Sequence, residues 1–117
     1  MSTRNNNRSR NRQKWIGLAH VKPQPGNDTL GNALGAFVPA VALAGSARDY
    51  AQQVTAALNS EGFDVPEIED IETLAKRARK HSLPPDFLIL VEGVTEENPL
   101  AFDTFQSYLS EDSEEPT

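Results

Sequence analysis

Apolar and polar positions along the chain follow two rhythms. In WIGLAHVKP, residues 15 to 23, Trp15, Gly17, Ala19 and Val21 alternate with Ile16, Leu18 and His20. Both faces of such a segment are mostly apolar and Pro23 ends it, which predicts a strand covered on one side and partly on the other. GAFVPAVALA, residues 35 to 44, reads the same way through Phe37, Val38, Val41 and Leu43. Pro39 has no N–H for a ladder, so this strand is expected at a sheet edge, or with a bulge at the proline.

The rhythm then lengthens. In SARDYAQQVTAALNSEGF, Tyr50, Val54, Ala57 and Leu58 fall on one stripe of a helix predicted over 47 to 61. Ser46 is placed to cap it, with Asp49 completing a capping box. Gly62 followed by Phe63 supplies the stop.

DVPEIEDIETL, residues 64 to 74, embeds Val65, Ile68 and Ile71 among acids. It reads as a strand with a bulge or kink near Pro66. LAKRARKHS (74–82) predicts a short basic helical turn. Phe87, Leu90, Val91 and Val94 fit a helix opened by proline, although the dense run from Phe87 to Val91 also fits a buried strand. LAFDTFQSYL (100–109) reads as a last strand, or as a helix capped by Asn98.

The order β-β-α-β-α-β implies an α+β domain: a small antiparallel four-stranded sheet with helices packed on one face, ferredoxin-like or a rearrangement of it. The layout of residues 15 to 109 resembles that of small bacterial accessory and immunity-type proteins, a likeness that carries over no residue.

Charge divides the 117 residues into three parts. Residues 1–14 hold Arg4, Arg8, Arg10, Arg12 and Lys14 and no acid, residues 15–109 hold six bases and thirteen acids, and residues 110–117 carry four acids. The ends lack core-facing apolar residues and are expected to be a disordered basic arm and a disordered acidic tail around one domain. An acidic domain repels phosphate, so nucleic acid is expected only through the arm. The chain has no cysteine, which suits a cytoplasmic setting. Its apolar runs are too short to span a bilayer, so no membrane role is expected.

Candidate chemistry is sparse. The glycines of KPQPGNDTLGNALGAF, residues 22 to 37, lead into a strand and carry no Lys-Ser/Thr pair, so the segment is read as a hairpin connection and not as a phosphate loop. His20 and His81, the two histidines, have no carboxylate beside them in sequence and no local pattern that would position either as a general base. The acids of EIEDIE lack calcium-loop spacing, so no metal is expected, and KRARK is expected to pair with them. No cofactor is implied.

What remains is surface. The sequence points to a small non-catalytic protein that binds another protein, with a basic one expected from its charge, through Glu67, Glu69, Asp70 and Glu72 and through the strand that holds Pro39. The alternatives are nucleic-acid association through Arg4, Arg8, Arg10, Arg12 and Lys14, and a small-ligand or enzymatic use of the sheet face around His20.

Overall fold

A computed structural model describes residues 12–109. The alternating runs form β1 (Gln13–Pro23) and β2 (Gly35–Ala44), an antiparallel hairpin. The connection between them is the expected bend. It is tied to the rest of the chain where Gln24 N–H donates to Gly62 O at 2.9 Å and Leu34 N–H to Tyr108 O at 2.8 Å.

Helix α1 (Ala47–Ser60) begins as its capping signal predicts, with Asp49 N–H donating to Ser46 Oγ at 3.0 Å. The reciprocal contact reaches one residue further back than expected, since Asp49 Oδ2 accepts from Gly45 N–H at 2.9 Å. Tyr50, Val54 and Leu58 are fully buried against the sheet. There they meet Ala19 and Val21 of β1 and the even-numbered residues of β2 from Ala36 to Ala44.

Strand β3 (Phe63–Thr73) follows, then helices α2 (Leu74–Lys80) and α3 (Pro85–Glu92). The ambiguous segment after Pro84 is therefore helical. Its stripe is the predicted one through Phe87, Leu90 and Val91, and Val94, just past the end of the helix, is buried beside them. The chain closes with β4 (Leu100–Phe102) and β5 (Gln106–Tyr108). Both pair antiparallel with β2, so the last predicted strand exists but is broken at residues 103–105.

The sheet runs β3-β1-β2-β4, with β5 continuing along β2, which puts the first hairpin at the centre. The class is α+β with an antiparallel sheet, as expected. Two details differ from expectation. First, the helices divide between the faces: α1 covers one, while α3 lies on the other against Ile16, Val41 and Leu43. Alternation explains this, because both faces of β1 and β2 are apolar and each needs cover.

Second, Pro39 is not on an edge. Its strand is paired on both sides, with Leu18 opposite in β1. Pro39 O accepts from Asp103 N–H at 2.9 Å, so the side of Pro39 that lacks a donor faces the break between β4 and β5. The pairing sum shifts by one residue across that break, from Ala40↔Phe102 to Phe37↔Gln106. The irregularity that proline demands is absorbed by the neighbouring strand.

Candidate interaction surface

Strand β3 is one edge of the sheet, opposite the edge made by β4 and β5, and its side chains are strictly sorted. Phe63, Val65, Ile68 and Ile71 join the core under α1. Asp64, Glu67, Glu69 and Glu72 stand opposite Lys22, His20, Leu18 and Ile16, on the other face. Two register irregularities make this possible, one opposite Val21 near Pro66 as expected and one opposite Gly17. At the second, Asp70 takes φ 57°, the left-handed region that aspartate tolerates better than most residues.

Of the four acids expected to act together, three remain exposed: Glu67, Glu69 and Asp70. Glu72 is committed elsewhere. It pairs with Arg77 and, at 2.9 Å, with Lys80, so part of the basic run serves as its counter-charge, as the sequence suggested. Hydrogen bonds from Lys80 and Arg77 hold the Glu72 carboxyl down to about 2. Glu69 moves the other way: a side-chain hydrogen bond with Glu67 and that neighbour's charge push its carboxyl up. Negative charge is thus concentrated at Glu67–Asp70. Among the described residues no group of three acids or histidines is arranged to hold a metal ion.

Beside this acidic flank, beyond the part covered by α3, the sheet presents His20, Phe37 and Tyr108, each half-buried. His20 stacks on Phe37 with ring centroids 4.7 Å apart, and its Nε2 lies 2.6 Å from the Tyr108 hydroxyl. Tyr108 reaches across β2 because Gly35 has no side chain; a Cβ there would sit 2.6 Å from the Tyr108 oxygen. Sequence reasoning missed this cluster. His20 and Tyr108 are 88 positions apart, and only strand order brings them together.

Comparison with protein-family models, curated proteins and solved structures returns no match. The surface must be read from its own chemistry.

The basic residues divide. Arg4, Arg8 and Arg10 lie outside the described residues. Arg12 Nη2 donates to Leu43 O at 3.1 Å, and Lys14 Nζ donates to Val91 O at 2.8 Å. Lys14 lies in β1, which starts two residues before the expected boundary, so these two cations are turned toward the domain's own carbonyls. The described residues contain no helix long and apolar enough to cross a membrane.

Proposed function

We propose that the protein is a non-catalytic cytoplasmic binding module. It takes a basic protein partner against the acidic flank of β3 and the half-covered aromatic face beside it. One observation carries this reading: the register of β3 places its acids along one border of the open face, next to His20 and Phe37. A partly apolar patch with acids concentrated along one border suits a surface that steers and then buries a partner of opposite charge. The same charge opposes pairing between two copies of β3, since like charges would meet across the new ladder.

The test is kinetic. Once a partner is isolated, Glu67→Lys with Glu69→Lys should lower its association rate about tenfold or more in low salt, with the loss shrinking as salt is raised. An unchanged association rate would sink the reading.

The second reading, ligand or catalytic use of the sheet face, draws on the contact between His20 and Tyr108, with Glu67 opposite His20 in the register. Turnover of a substrate that His20→Ala abolishes without unfolding the domain would favour it over the first. Nucleic-acid binding has less support, because Arg12 and Lys14 are engaged within the domain. Deleting residues 2–11 would decide it: binding to DNA or RNA lost with that deletion alone would establish it.

A further inference from the structure

Between the sheet and the segment that joins α2 to α3 lies a cavity of about 410 Å³. That is within the range of about 300–1,000 Å³ typical of ligand sites. Ile16, Leu18 and Pro39 contribute apolar surface from the sheet, and Phe87 contributes an aromatic ring from α3. Three carboxylates also line it, and each comes from a different element. Asp70 is delivered by the bulge in β3, Asp86 by the first turn of α3, and Asp103 by the break between β4 and β5.

Two basic side chains border the same space. Arg77 is already paired with Glu72, and its Nη2 donates to Asp70 O at 3.5 Å. His81 is exposed at the C-terminal end of α2. Asp103 uses one oxygen to accept from Thr104 N–H at 2.7 Å. Carboxylates therefore dominate a cavity whose remaining lining is mostly apolar. The placement of Asp70 is notable physically, because it is the one non-glycine among the described residues with positive φ.

We propose that this cavity receives an arginine side chain from the basic partner. The inference rests on the binding reading above and names the group that the partner inserts. The methylene stem of arginine matches the surface of Ile16, Leu18 and Pro39. Its positive charge complements the three aspartates of the lining, and its planar face can lie on the Phe87 ring. Anionic groups are repelled by the three aspartates. Lysine offers a point charge without the planar face, and so ranks below arginine at this site.

Nitrogen-15 amide spectra of the full chain, titrated with N-acetyl-arginine amide, test this. N-acetyl-citrulline amide, a neutral compound of the same shape, and N-acetyl-lysine amide serve as comparisons. Arginine should produce saturable shifts at Leu18, Asp70 and Phe87, with a dissociation constant on the order of millimolar. Citrulline should bind at least about tenfold more weakly, and Asp70→Asn or Asp86→Asn should each weaken arginine by roughly the same factor. Asparagine also tolerates the left-handed region, so Asp70→Asn keeps the bulge, and its own spectrum reports whether the fold is intact.

Equal shifts from arginine and citrulline would overturn the proposal, as would no saturation by about fifty times the millimolar scale. Shifts confined to Glu67 and Glu69 would overturn the cavity assignment while leaving the acidic-flank reading in place. Loss of the association-rate effect of Glu67→Lys and Glu69→Lys, with arginine still binding the cavity, would do the reverse.

Discussion

The hydroxyl of Tyr50 donates to Ala40 O at 2.8 Å, and its ring lies over Gly17 so closely that a Cβ there would stand 2.8 Å from the phenol oxygen. Residue 17 is glycine because α1 must approach β1 at this point. Burial also pushes the Tyr50 phenol up, so its proton stays available for the hydrogen bond.

Gly17→Ala should therefore destabilise the protein by roughly 1–3 kcal/mol through overpacking. Tyr50→Phe should cost about 1 kcal/mol for the lost hydrogen bond. The two should not add, because removing the hydroxyl relieves the shortest part of the clash. A urea double-mutant cycle that proved strictly additive would contradict the contact.

Gly35→Ala should displace Tyr108 from His20, since the new methyl would meet both the Tyr108 oxygen and Val21 O at 2.6 Å. A loss of roughly 1–3 kcal/mol is expected, because Val21 O is backbone and cannot move aside easily. Nitrogen-15 shifts of the His20 ring should change in Gly35→Ala much as they do in Tyr108→Phe. An unaltered ring signal in Gly35→Ala would refute the crossing of β2.

The carboxylates predict opposite pH dependences. Glu72 is depressed to about 2. Its pairing therefore stabilises the fold fully above the ordinary carboxylate value, about 4.3, and the contribution is lost as pH falls through the lower value. The stability gap between wild type and Glu72→Gln should be constant from neutral pH to about 5 and close toward pH 2. Glu69 is raised, so ionising it costs stability as pH climbs through its range. Glu69→Gln should then be the more stable form at pH 7, with the difference vanishing below about 4. Parallel stability curves for the two variants would show that neither partner set operates.

Helix α1 gives the simplest mutational test. Ser46→Ala removes the oxygen that accepts from Asp49 N–H and should cost about 1 kcal/mol. Leu58, 1% exposed in the core, should cost roughly 2–5 kcal/mol on truncation to alanine. Thermal or urea unfolding measures both, and equal small losses would be incompatible with the buried stripe.

The legible part of the fold was the part set by local rules. Ser46, the stripe from Tyr50 to Leu58 and the stop at Gly62 fix α1 within one residue at its end. The first irregularity of β3 was legible at Pro66. The second was written in the spacing of Ile68 and Ile71, because a step of three residues from one inward position to the next is one more than a flat strand allows. Neighbour relations were not legible. Whether Pro39 lies at an edge depends on where residues 100–108 settle, and nothing near Pro39 encodes that. The acidic flank could be read from composition, but the cavity could not, since Asp70, Asp86 and Asp103 come from separate elements. That KRARK pairs with the acids of EIEDIE was legible, but not that Glu72 is the acid that takes both Arg77 and Lys80.

The sorted acids of β3 also make the electrostatics of this edge depend on solution conditions. Repulsion between two copies of that edge weakens with added salt, and so does attraction to a basic surface, because both act over the same screening length of about 8–10 Å near physiological ionic strength. Acidification removes the charge itself, and Glu69, whose carboxyl is pushed up, takes its proton before an ordinary glutamate does. On the proposed binding reading, selective recognition and resistance to self-association fail together, and both are strongest in dilute salt near neutral pH.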